Sequence, residues 1–265
     1  MKRSIGSAVM FARCAVLAAL ILSSSCSKKD SAQLENDASA NFDWSDIPSL
    51  QARLDSLSSS SASRVPAELM SVMKTGIQQV AEGTVLETAL KVGDAAPTFG
   101  LMGTSGKVIQ LPGLLKKGPV VLVFYRGGWC PYCNLQLAAL QDVLPEIERL
   151  GATLLAIGPE IPDSGRATYT RHQLGFDLLS DVGNRVARSY GLAYAVPREM
   201  ADALSKFVDV AAYNGDDSGE LPLTATYVIN RQGIITYAFF EVDYKRRAEP
   251  VEILETLKQL YPRTE

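Results

Sequence analysis

The sequence predicts an α/β fold: one layered domain of about 170 residues, large enough to bury a good core, with an N-terminal helical extension. Two observations carry this. Pro119-Val-Val-Leu-Val-Phe-Tyr125 and Ala152-Thr-Leu-Leu-Ala-Ile157 are short apolar runs with the length and β-branched content of buried strands. Between them Leu137, Leu140, Leu144 and Ile147 recur at helical spacing from a start near Cys130, and Gly151 closes the helix. Strand, helix and strand of these lengths form a right-handed parallel unit.

The remaining elements follow in chain order. Leu50, Leu54 and Leu57 fall on one face of a marginal helix within the Ser-rich stretch 26–64, read as a tether. Leu69, Val72, Met73, Ile77 and Val80 give residues 65–90 the pattern of an amphipathic arm packed on the domain. From Val92 the pattern changes, and residues 91–265 form the domain. Phe99 to Met102 and Val108 to Leu111 predict a short hairpin across Gly103-Thr-Ser-Gly106. Helices are expected over about 165–174 and 183–190, with a strand at Asp177 to Ser180 between them. Ala225 to Ile229 and Ile234 to Phe240 predict a second hairpin across Asn230-Arg-Gln-Gly233, and a last helix begins near Pro250. No internal repeat is visible.

The first residues carry a different signal. Lys2, Arg3 and Arg13 precede nine unbroken apolar or small residues, Cys14 to Leu22. Spanning a bilayer takes about 20, so residues 1–25 are read as a secretory signal. Ser23-Ser-Ser-Cys26 resembles a bacterial lipobox, which makes Cys26 the expected lipid-attachment residue. Ser23 stands where such a motif usually has leucine, and ordinary signal cleavage is the alternative. The expectation is an exported lipoprotein, facing the periplasm or cell surface and touching a membrane only through its lipid.

Over 265 residues the composition is 47% hydrophobic and 21% charged, with a formal charge of −3 that gives no basic field for nucleic acid. Once Cys14 and Cys26 are set aside, Cys130 and Cys133 remain for chemistry. A structural zinc site needs four ligands, and two thiols with the single His172 do not supply them. No metal and no cofactor are expected. A closely spaced pair kept in an exported, cysteine-poor chain points to redox use rather than loop stapling.

The pair sits where a strand hands over to a helix. There the first N–H groups lack helical partners and the dipole is positive, which lowers a thiol's pKa. Arg126 adds positive charge, and no carboxylate lies between Lys117 and Gln141. Pro131 suits a first helical turn. Gly127 and Gly128 are read as allowing a substrate close to the backbone, with Trp129 and Tyr132 framing the cysteine. Cys130 is expected to be the exposed nucleophile and Cys133 the buried resolving thiol. Attack on a peroxide would end in a Cys130–Cys133 disulfide through a sulfenic acid. Attack on a protein disulfide would end in the same pair.

Several stretches in order, "KVGDAAPTFGL", "GPVVLVFYRGGWCPYCNLQL", "LLSDVGNRVARSYGL", "TATYVINRQGII" and "DYKRRAEP", resemble the alkyl hydroperoxide reductase/thiol-specific antioxidant (AhpC/TSA) peroxiredoxin family from about Leu90 to Tyr261. The resemblance implies a thioredoxin-like fold, a central mixed sheet flanked by helices. It also implies hydroperoxide reduction at Cys130, with electrons returned by a thioredoxin-like protein. The sequence departs from the family in three places. Gly127 stands where typical members place Thr or Ser, Thr224 where they carry an active-site Arg, and Trp129-Cys-Pro-Tyr-Cys133 is closer to thioredoxins. Thr224 is either a substrate hydrogen-bonding residue or a plain strand residue. Asp243-Tyr244 and Arg246-Arg247 resemble a segment of close relatives, and a turn into the last helix accounts for half of it. Two further readings therefore stay open: a thiol–disulfide oxidoreductase acting on exported proteins, and a non-catalytic binding lipoprotein.

Overall fold

A computed structural model describes residues 43–62 and 64–260. The signal, Cys14 and Cys26 lie outside the described residues. Nine strands are present among these: β1 (Gly100–Gly103), β2 (Val108–Gln110), β3 (Val120–Phe124), β4 (Thr153–Gly158), β5 (Leu178–Ser180), β6 (Ala193–Ala195), β7 (Glu220–Pro222), β8 (Thr224–Ile229) and β9 (Ile235–Glu241). The longer helices are α1 (Leu50–Ala62), α2 (Ala67–Ala81), α3 (Pro131–Asp142), α4 (Leu144–Arg149), α5 (Pro162–Arg171), α6 (Arg198–Ser205) and α7 (Pro250–Leu260).

Seven strands form one mixed sheet in the order β2-β1-β5-β4-β3-β8-β9. β3, β4 and β5 run parallel, in a register that sets Val121 beside Leu154 and Ala156 beside Leu178. β8 closes against β3 antiparallel, pairing Phe124 with Ala225, and the β8–β9 and β1–β2 hairpins form the two ends. Every residue of β3 is buried, because the strand is covered on both faces. Its alternation feeds two cores. Val121 and Val123 join Leu137, Leu140, Ile147 and Leu254 under α3, α4 and α7, while Val120, Leu122 and Phe124 meet Tyr190 and Tyr227 on the opposite face.

Three local outcomes differ from the sequence reading. The helix expected to run unbroken to Gly151 ends at Asp142 and restarts at Leu144. Pro145 explains the break, since it offers no N–H to a helix continuing from α3. The stretch read as a tether contains a packed helix, α1, whose Leu50 and Leu54 are wholly buried. Its N-terminus is held from far along the chain. The Glu249 carboxylate accepts the backbone N–H of Leu50 and of Gln51, each at 2.8 Å, and the Ser49 hydroxyl at 2.8 Å. A carboxylate there satisfies orphan donors and opposes the positive end of the helix.

The third difference is residues 193–222, which the sequence left without elements. β6 and β7 form a separate two-stranded ribbon, and α6 and a short helix, Val210–Asn214, lie between them. α2 packs against α6 at Gly76, where a Cβ would come within 2.9 Å of the Met200 Cβ.

Candidate active site

Cys130 is the N-cap of α3, with φ −87° and ψ 114°, and Pro131 opens the helix. β3 delivers the chain to this point, and a tight turn makes the transition, with the Cys130 N–H donating to the Gly127 carbonyl at 3.0 Å. The Cys130 carbonyl accepts the first helical bond, from the Asn134 N–H at 3.1 Å. The loop is pinned on both sides. The Asn134 side-chain amide donates to the Gly128 carbonyl at 2.8 Å, and the Gly128 N–H donates to Glu160 at 3.1 Å. Glu160 is itself buried and accepts the Tyr125 hydroxyl. Burial holds its carboxyl above the ordinary carboxylate range.

Both thiols are free. The Cys130 thiol is held well below the ordinary thiol value, first by a hydrogen bond from the Cys133 thiol. The Arg126 and Arg247 charges and the Cys133 backbone N–H add to this, against the opposing effect of burial. Cys133 moves the other way, raised by burial and by giving its proton to that hydrogen bond. The two thiols therefore divide into a ready thiolate and a proton-holding partner.

Two arginines supply the positive field. Arg126 is only 2% exposed and is held between aromatic faces, 4.9 Å from the Trp129 ring centroid and 4.4 Å from that of Tyr244. Its Nε and Nη2 have no hydrogen-bond partner among the described residues. Arg247 lies behind the helix. Its Nε donates to Gln136 Oε1 at 2.8 Å, Nη1 to the Arg246 carbonyl at 2.7 Å, and Nη2 reaches Cys133 Sγ at 3.6 Å. Arg126, Trp129, Cys130, Tyr132 and Tyr244 share a cavity of about 1080 Å³.

Several expectations change here. Cys130 is not an exposed nucleophile: it is 2% exposed, on the floor of the cavity, while Cys133 is fully buried. Gly127 and Gly128 do not make room for a substrate. A Cβ on Gly127 would collide with the Trp129 indole nitrogen, and one on Gly128 with the Thr168 hydroxyl of α5. Thr224 is buried on β8, and by strand alternation shares its face with Thr226, which accepts a bond from the Gln136 side chain at 3.4 Å. The Thr224 hydroxyl has no partner among the described residues, and Thr224 is not part of the cavity lining. His172 ends α5, outside that lining.

Gln136, Tyr125 and Glu160 are additions that the sequence did not single out as site residues, whereas Arg247 and Tyr244 belong to the "DYKRRAEP" segment, whose site role the sequence left open. Among the described residues no group of three or more His, Cys, Asp or Glu is placed to hold a metal.

A thiol at a helix start against a mixed sheet, with a second thiol one turn on, is an arrangement that fits an oxidoreductase of thioredoxin-like fold. The AhpC/TSA family model matches residues 92–238. The chloroplastic peroxiredoxin Q of Triticum aestivum is 30% identical over 218 residues, covering 81% of this chain and 88% of that protein. That of Arabidopsis thaliana is 32% identical over 169 residues, covering 63% and 66%. The solved peroxidoxin BcpB from Mycobacterium tuberculosis is 22% identical, covers 64% of this chain and 98% of its own, and superimposes with a TM-score of 0.51. A peroxiredoxin-like protein from Aquifex aeolicus gives 17%, 65%, 88% and 0.52 for the same measures. At such identities these two structures speak for the fold. The chain belongs to the AhpC/TSA family and is a thiol-dependent peroxidase.

The same relatives overturn the expected localisation. They are chloroplastic peroxiredoxins, not exported lipoproteins, and among the described residues no helix is long and apolar enough to cross a membrane. The physical reason for the misreading lies in composition. Before Asp30 the chain has five basic residues, many serines and no acid, features that transit peptides share with secretory signals.

Proposed function

We propose that Cys130 is the peroxidatic thiol of this peroxidase and Cys133 its resolving thiol. The Cys130 thiolate attacks the terminal oxygen of a hydroperoxide. The S–O bond forms as the O–O bond breaks, sulfur loses two electrons, and the alkoxide or hydroxide leaves and takes a proton from solvent. Cys133 then attacks the sulfenic sulfur and gives up its proton as water departs, leaving a disulfide. A thioredoxin-like dithiol protein returns the two electrons by thiol–disulfide exchange.

The observation that carries this assignment is the helix-start thiol on the floor of an open cavity that the buried Arg126 also lines, with the buried Arg247 reaching the second thiol at 3.6 Å. In this reading Arg126 is the group that meets the peroxide, because its Nε and Nη2 have no partner among the described residues and it lines the same cavity as Cys130. It supplies from within the loop the charge that typical relatives bring from the strand position held here by Thr224. Preorganised donors at developing charge are worth about 10²- to 10³-fold in rate.

Peroxide consumption coupled to thioredoxin, its reductase and NADPH tests the assignment. Cys130→Ser should abolish turnover. Cys133→Ser should keep a single stoichiometric peroxide reaction and lose catalytic cycling with thioredoxin. Insulin-disulfide reduction with no peroxide consumption would sink the proposal in favour of a disulfide oxidoreductase.

A further inference from the structure

Two buried titratable groups beside the dithiol have no part in the cycle above. Glu160, between β4 and α5, is 1% exposed, and Tyr125, just past β3, is fully buried. Both oxygens of the Glu160 carboxyl are engaged, one with the Tyr125 hydroxyl and the other with the Gly128 N–H at 3.1 Å. No ion pair joins Glu160 among the described residues. A carboxyl met only by neutral groups is costly to ionise away from water. The cysteine loop leans on it. Gly128 lies two residues before Cys130, its carbonyl accepts the Asn134 amide at 2.8 Å, and its α-carbon abuts Thr168, so Glu160 completes a three-sided clamp.

The same carboxyl shares its surroundings with the thiols. Tyr125 stands in one core cluster with Cys130 and Cys133. The charged and titratable groups that act on the Tyr125–Glu160 pair are Cys133 of α3, Arg171 of α5 and Tyr213 of the short helix. Burial does most to keep the proton on Glu160, and charge on the cysteine pair, acting through Cys133, adds to it. The two hydrogen bonds and Arg171 work the other way. Disulfide formation removes the thiolate charge, and with it one of the reasons for Glu160 to stay protonated.

We infer that Glu160 is a positioning residue for the dithiol, fixing the Cys130 loop through Gly128 and releasing a proton when Cys130 and Cys133 become a disulfide. This rests on their reading as the redox pair, whichever substrate oxidises them. Between its ionisation midpoints in the two states, Glu160 is a carboxylic acid beside the thiolate and a carboxylate beside the disulfide. The hydroperoxide takes two electrons from the pair, the Cys133 proton leaves with water, and the S–S bond forms as already written. Glu160 then returns to solvent the proton that the departing alkoxide took up. By reciprocity, the Glu160 proton favours the reduced pair.

Glu160→Gln is the test variant, because an amide still accepts from the Gly128 N–H and donates to the Tyr125 oxygen, yet carries no titrating proton. The full chain and the variant are equilibrated with reduced and oxidised glutathione across pH. Above the ordinary carboxylate range, the equilibrium constant for reduction should fall up to about tenfold more steeply per pH unit in the native chain. Reduced-minus-oxidised infrared spectra should show a protonated carboxyl band that Glu160→Gln lacks. Glu160→Ala removes the clamp, so kcat/KM for hydrogen peroxide should fall by up to about 10²-fold, and Glu160→Gln should recover most of the loss. A purely structural Glu160 would change that last measurement and neither of the first two. Equal pH slopes in the native chain and Glu160→Gln, or a carboxyl band indifferent to redox state, would overturn the assignment. If neither peroxide nor glutathione disulfide forms a Cys130–Cys133 bond in folded protein, the dithiol reading itself fails, and Glu160 has no pair to serve.

Discussion

Gly127 has a φ of 138°, in the region that favours glycine, and the Trp129 indole fills the space where a side chain would stand. Restoring the residue typical of relatives should therefore do harm. Gly127→Thr is expected to lower peroxide turnover and to destabilise the fold by about 1–3 kcal/mol, measured by urea unfolding. A gain in activity would show that the loop has room. Arg247 gives a pH prediction. Its charge lowers the Cys130 pKa, so the wild-type rate should stay high as pH drops through the ordinary thiol range and fall only at acid pH. In Arg247→Met the midpoint should move to higher pH, with about a tenfold rate loss below it per unit moved. An unmoved midpoint in a correctly folded variant would separate Arg247 from the thiol.

At this scale the sequence showed the dithiol and its helix start but not the surroundings. Gly127 is constrained by a ring contact with Trp129 that the sequence order alone does not show, and Gly128 by Thr168, forty positions away. Arg246 and Arg247 are adjacent and alike in sequence, yet the first is exposed and the second buried.

Among the elements, α1 gives the clearest expectation. Leu54 is fully buried in the core that α3 also lines, so Leu54→Ala should cost about 2–5 kcal/mol in unfolding free energy. Glu249→Ala removes the carboxylate that holds the N-terminus of α1 and should cost about 0.5–2 kcal/mol. Proteolytic nicking within 43–62 should increase in that variant. An unaffected cleavage rate would mean α1 is held by its leucines alone. The long apolar runs of β3 and β4 were legible because they are buried on both faces. α1 was legible only as a marginal helix, since the group that completes it, Glu249, lies about 200 residues away. β6 and β7, of three residues each, are too short to show a period.

For the whole molecule, the parallel β3–β4 unit, the two hairpins and the family were legible because the strand runs and motifs occur in sequence order along one chain, while the order of the strands across the sheet was not. The cavity was not, since its walls come from α2, the α6 segment and the cysteine loop, three stretches brought together by folding. One consequence of the Cys130–Cys133 arrangement concerns survival rather than turnover. In the proposed cycle the thiol that ends the sulfenic state sits in the first turn of the helix that Cys130 caps, so that state ends by a local encounter. A second peroxide then has little time to carry Cys130 to the irreversible sulfinic acid. Intact mass measurements after a large peroxide excess should find the native chain two hydrogens lighter and Cys133→Ser two oxygens heavier. Equal over-oxidation of both would mean the neighbouring thiol gives no protection.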